Sequence, residues 1–129
     1  LAEFAFRSIM GIYMAFRKIL TTLFVAAILP FPAVANNSNE IVHLLNFVEN
    51  TDCLYIRNGN QHKGPEARLH IQKKYDYYYD DIDSAEDFIE YSATKSVLSG
   101  SRYKVDCPGQ DLQFSGDWLL SELKSFRMK

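Results

Sequence analysis

Cys53-Leu54-Tyr55-Ile56-Arg57-Asn58-Gly59 is the segment on which the reading of the fold turns. Its first five residues have the β-branched and aromatic content of a short strand, and Asn58-Gly59 supplies the two residue types that best tolerate positive φ in a turn. A second stretch, Tyr103-Lys-Val-Asp-Cys107, alternates apolar with polar side chains, as a strand with one inward face does. Pro108-Gly109 follows as a turn, and Asp111 to Phe114 reads as a return strand. Each of the first two strands carries one of the chain's two cysteines.

Helical patterns surround these strands. Ile41, Leu44, Leu45 and Val48 recur at helical spacing, and Asn37 with Glu40 three residues on fits a capping arrangement, which predicts a helix over Ser38 to Asn50. Gly64-Pro65 opens a second helix, because proline suits the first helical position, where its missing N–H would be unpaired anyway. Ala67, His70, Ile71, Lys74 and Tyr78 share one face of it, polar for a core face, and the acidic stretch Asp80-Asp81-Ile82-Asp83 ends it. Ser84-Ala-Glu-Asp87 is a capping box for a third helix over Ser84 to Val97. Ser115 is the expected cap of a fourth, anchored by Trp118, Leu119, Leu123 and Phe126. The fold class is therefore α+β, with about four helices packed around a small two- or three-stranded antiparallel sheet and one disulfide.

The amino-terminal part reads differently. From Met14, Arg17 and Lys18 form a short positive region, Ile19 to Leu29 is an uncharged apolar core, and Ala33-Val34-Ala35 is a small-x-small cleavage site. Residues 14–35 are expected to be a signal peptide cleaved after Ala35, and residues 1–13 an over-extended start outside the native protein. The uncharged run is only at the lower limit for a membrane span, and Pro30 and Pro32 interrupt it. No stable membrane insertion is expected after cleavage.

Residues 36–129 then form a single domain. Removing Arg7, Arg17, Lys18 and Glu3 leaves 11 basic and 15 acidic side chains, a net charge of −4 with histidines neutral. Such a domain has no general field for nucleic acid. Two cysteines in an oxidising compartment default to one disulfide, Cys53 with Cys107, and the absence of a CxxC pair argues against thiol-exchange chemistry.

Four groups of residues could carry chemistry. Glu66, His70 and Lys74 follow at i, i+4 and i+8, so they stack along one side of the second helix, where a carboxylate beside an imidazole could do acid/base work or share a metal. Without the second histidine of a zinc helix, a salt-bridged ladder explains the same spacing. Asp76, Asp80, Asp81, Asp83, Glu86 and Asp87 crowd together, but the glycine and terminal glutamate of a calcium loop do not fall where required. Tyr75, Tyr77 and Tyr79 lie close in a tyrosine-rich run, and rings with polar tips suit a ligand platform. Arg57 and Asn58, beside the turn, could grip a carboxylate. No nucleophile with its base and no phosphate-cradling glycine loop is present, and the pattern calls for no metal and no cofactor.

Cys53-Leu-Tyr-Ile-Arg-Asn-Gly59, Pro65-Glu-Ala, His70-Ile, Lys74-Tyr75, Ser84-Ala-Glu-Asp-Phe-Ile89, Ser99-Gly100 with Tyr103, and Trp118-Leu119 with Leu123 and Arg127 form one ordered pattern. It resembles the YfeK-like family of small exported bacterial proteins, whose domain has no assigned function. The resemblance implies an envelope location in a Gram-negative bacterium and carries over no catalytic residue. The combined expectation is a periplasmic, non-catalytic module that binds an envelope protein or small ligand through Arg57, Asn58, Tyr75, Tyr77 and Tyr79. The alternative is a small hydrolase or metal-dependent enzyme centred on Glu66 and His70.

Overall fold

A computed structural model describes residues 37–129. The expectations for residues 1–13 and for a signal peptide over 14–35 lie outside them. In chain order the described elements are α1 (Asn37–Glu49), β1 (Leu54–Arg57), β2 (Asn60–His62), α2 (Gly64–Tyr77), a 3₁₀ turn (Tyr79–Asp81), α3 (Ala85–Ala93), β3 (Lys104–Asp106), β4 (Gln113–Phe114) and α4 (Ser115–Arg127). Four helices thus accompany a four-stranded antiparallel sheet ordered β2-β1-β3-β4.

The strand count corrects the expectation of two or three. Asn58 and Gly59 adopt φ of 49° and 79°, so a two-residue turn folds the polar Asn60–His62 back onto β1, with Arg57 opposite Asn60. Backbone pairing imposed by the turn makes β2 a strand that side-chain propensity does not announce. In the β1–β3 ladder Leu54 faces Asp106 and Ile56 faces Lys104. Extending that register by one residue at each end sets Cys53 opposite Cys107 and Arg57 opposite Tyr103. The first of these pairs is covalent: Cys53 and Cys107 form a disulfide across 54 residues of sequence, closing the end of the sheet away from the turn.

Period-two alternation puts Tyr55, Tyr103, Val105 and Cys107 on the face the helices cover, all buried. Against them pack Leu44 and Val48 of α1, Ile71 of α2, Phe88 and Ile89 of α3, and Leu119 and Leu123 of α4. Each such side chain, fully buried, contributes about 1.5–3 kcal/mol. The Tyr55 hydroxyl donates to the Ala93 carbonyl at 2.9 Å, which pins the sheet to the end of α3.

Three local expectations need correction. Asn37 and Glu40 do not form a capping pair: the Asn37 side-chain amide donates to the Asp83 carbonyl, while Glu40 is buried and held by Arg127 of α4. Ser115 is not a cap but the first residue of α4, with Phe114 in the cap position, and its N–H donates to the Tyr103 carbonyl at 3.0 Å. Helix α3 stops at Ala93, not Val97. The Thr94 hydroxyl donates back to the Ile89 carbonyl, and the Thr94 carbonyl accepts from the Tyr103 N–H, so the chain turns toward the sheet. The α3 cap itself forms as read: Ser84 Oγ accepts from the Asp87 N–H at 3.0 Å, although Asp87 reaches back to the Asp83 N–H, one residue earlier than a capping box requires.

Helix α2 starts hard against α1. A Cβ on Gly64 would lie 2.5 Å from the Val48 carbonyl oxygen and 2.7 Å from that of Glu49, so only glycine allows this approach. Among the described residues no helix is long and apolar enough to cross a membrane.

Candidate functional site

Arg57 sits at the turn end of β1, half-buried on the helix-covered side of the sheet. Facing it are the second and third turns of α2, where i, i+4 spacing presents His70 and Lys74 on one side. The third wall is the loop from Ser96 to Ser101, which the early end of α3 releases. That loop is tied internally by Ser96 N–H to the Ser101 carbonyl and Gly100 N–H to the Ser96 carbonyl, both 2.9 Å, and to the β1–β2 turn by Ser99 Oγ donating to Asn58 Oδ1 at 2.9 Å. Between the three walls lies an open cleft of about 560 Å³ with Tyr103 at its base. Its volume is in the range of small-ligand sites.

The charge of the cleft is one-sided. Arg57, Lys73 and Lys74 line it, no carboxylate does, and none of the three forms an ion pair among the described residues. The consequence is visible in the groups between them. Burial pushes the His70 imidazole down to about 4, and the positive charge of Arg57 and Lys74 adds to the fall, so His70 is neutral at pH 7. Its Nε2 lies 3.3 Å from the Tyr103 hydroxyl. The Lys74 ammonium is pushed below its ordinary value by burial, then by Arg57 and Lys95. Its Nζ donates to the Lys95 carbonyl at 2.7 Å and lies 5.2 Å above the centre of the Tyr103 ring, contacts that orient it without neutralising it.

The rim is apolar. Tyr77, Val97 and Leu98 line the same cleft and are 82%, 67% and 100% exposed. Asn58, Asn60 and Ser96 complete the wall with neutral polar groups.

The residues expected to share a ligand surface divide between two places. Arg57, Asn58 and Tyr77 line the cleft. Tyr75 packs edge-on against Phe88 and tilts over Tyr79, and the two line a separate depression bordered by Asp80 and Asp83. Tyr75 and Tyr77 are two positions apart on α2 and so project to opposite sides of it, which sends Tyr77 to the cleft and leaves Tyr75 beside Tyr79, four positions on. The Glu66, His70, Lys74 ladder is not closed by ion pairs. Glu66 Oε1 is 2.7 Å from His62 Nδ1, whereas His70 turns to Tyr103 and Lys74 to the Lys95 carbonyl. No cluster of three metal-ligating side chains occurs among the described residues.

Lys73, Tyr78, Val97, Leu98 and Tyr103 belong to the cleft without having been expected there. The available signal was Val97-Leu98 itself, two large apolar residues between Ser96 and Ser99-Gly100, which a helix would bury and a loop must expose.

Comparison with known proteins finds relatives of this chain without an assigned activity. A model described as "Family of unknown function (DUF5329)" matches residues 35–127. The protein named "Uncharacterized protein YfeK" of Salmonella typhimurium strain LT2 is 37% identical over 84 residues, covering 61% of this chain and 70% of the relative. No solved structure matches.

Proposed function

The chain belongs to this family of unknown function, DUF5329, and from its own residues we propose that it is an exported, non-catalytic binding module of the bacterial envelope, with the Arg57 cleft as its site for an anionic ligand. Export is supported by the tripartite pattern of residues 14–35 and by the disulfide, which suits an oxidising compartment. The observation that carries the binding reading is the convergence of Arg57, Lys73 and Lys74 without a carboxylate, in a domain where acidic residues outnumber basic ones. A half-buried guanidinium with no ion pair among the described residues is costly to the fold, and an arriving anion offsets that cost.

The guanidinium fork suits a bidentate oxyanion, and Lys74 adds a directed point charge. Neutral His70 and Tyr103 complete the site as hydrogen-bonding groups. The acid/base alternative centred on Glu66 and His70 draws support from the low pKa of His70 alone, since Glu66 is engaged by His62.

Thermal unfolding with acetate, phosphate and chloride at equal ionic strength tests the reading. An oxyanion that binds the native state raises the melting temperature as its concentration passes its dissociation constant. The rise is expected for the oxyanions, and is expected to vanish in Arg57→Met but persist in Tyr79→Ala. Equal responses to all three salts, or persistence in Arg57→Met, would contradict it.

A further inference from the structure

Resting on the reading of the cleft as an anion site, we propose that its ligand is the free C-terminus of a peptide chain whose last side chain is apolar. Three features of one site meet the three parts of such an end. The terminal carboxylate matches Arg57 and Lys74, which have no carboxylate partner among the described residues. The last side chain matches Val97, Leu98 and the Tyr77 ring, apolar groups that the fold leaves exposed beside those cations. The final peptide groups match the side chains of Asn58, Asn60 and Ser96, which offer acceptors as well as donors; an inorganic anion can use the donors alone, and an acyl chain neither.

The topology supplies a path for the rest of the peptide. Among the described residues β2 is an edge strand of the sheet, paired on one side with β1, and it begins at Asn60, in the wall of the cleft. Its outer edge pairs with no described strand, and an extended chain leading away from the cleft can add to it as a further strand. Lys74 is already oriented by the Lys95 carbonyl and the Tyr103 ring, and the loop bearing Leu98 is tied to the turn bearing Asn58. Both halves of the site are therefore set before the ligand arrives.

The test is fluorescence anisotropy on the purified, oxidised protein, using an N-terminally labelled hexapeptide ending in Ser-Ala-Leu. Matched probes carry a C-terminal amide or aspartate as the last residue. The free carboxylate peptide is expected to bind at least tenfold more tightly than either. Arg57→Met is expected to weaken it at least tenfold, Arg57→Lys by less because the charge stays while the fork is lost, and Leu98→Ser several-fold. Tyr79→Ala should leave it unchanged, and circular dichroism verifies that each variant folds. If amide and carboxylate peptides bind equally, or neither binds while dodecanoate or phosphate binds in an Arg57-dependent way, the peptide assignment is overturned and the anion site stands. If no anion of any kind binds in an Arg57-dependent way, both fall.

Discussion

Replacing Arg127 by leucine removes the cation that joins three helices, and its cost follows from the geometry. Arg127 Nε donates to Glu40 Oε1 at 2.7 Å and Nη2 to Glu40 Oε2 at 2.9 Å, a two-point grip between α4 and α1, while Nη1 reaches Glu86 on α3. The Glu40 side chain is 11% exposed and that of Glu86 47%, so the same guanidinium holds one buried and one solvated carboxylate. Breaking a buried pair by deleting one partner costs about 3–5 kcal/mol, and a solvated pair contributes about 0–1. Arg127 is itself 43% exposed, and water screens what remains, which puts Arg127→Leu at about 2–3 kcal/mol. For a domain of this size that is a fall of roughly 10–20 °C in melting temperature. Urea unfolding should show a lower midpoint at an unchanged slope. Glu40→Gln should lose nearly as much as Arg127→Leu and Glu86→Gln less than about 1 kcal/mol, with the Glu40–Arg127 double-mutant cycle giving strong coupling. A loss below about 0.5 kcal/mol in Arg127→Leu, or equal losses in the two glutamate variants, would refute the argument.

Opening the 54-residue loop by Cys53→Ala with Cys107→Ala should destabilise by up to about 4 kcal/mol through the entropy returned to the unfolded chain, and urea unfolding that loses less than about 1 would count against a stabilising bridge. Gly64→Ala should cost about 1–3 kcal/mol, since its Cβ meets two backbone carbonyls of α1 that cannot move independently; an unchanged midpoint would mean that α1 and α2 do not approach as described. The native imidazole of His70 titrates below its unfolded value, so the unfolded state binds the extra proton first and stability falls as pH drops from 6.5 toward about 4. His70→Gln should flatten that part of the pH–stability curve, and an identical curve would refute the assignment.

The helices were legible because their apolar residues repeat at helical spacing, and Ile41, Leu44, Leu45 and Val48 all enter the core as that pattern requires. The disulfide followed from cysteine number and compartment. β2 escaped because Asn60, Gln61 and His62 have no strand propensity, and only the positive φ of Asn58 and Gly59 folds them onto β1. The same kind of non-local pairing ended α3 early. The hydrophobicity of Val97 and Leu98 argued for continuing the helix, but Thr94 and Lys95 pair with the approach to β3, leaving those two side chains at a loop tip. The cleft depends on both events. Arg57 and Asn58 were readable as candidates from their turn, and His70 and Lys74 from their spacing. Their meeting with one another and with Leu98 is a product of sheet register and helix termination, which spacing along one segment does not encode.

If the unneutralised cations of this cleft form the protein's binding site, chemical-shift mapping of the ¹⁵N-labelled protein during titration with the Ser-Ala-Leu peptide at constant ionic strength will show saturable shifts concentrated at Arg57, Asn58, Lys74, Leu98 and Tyr103. Shifts concentrated instead at Tyr75, Tyr79 and Asp83, or scattered without saturation over the whole domain, would contradict it.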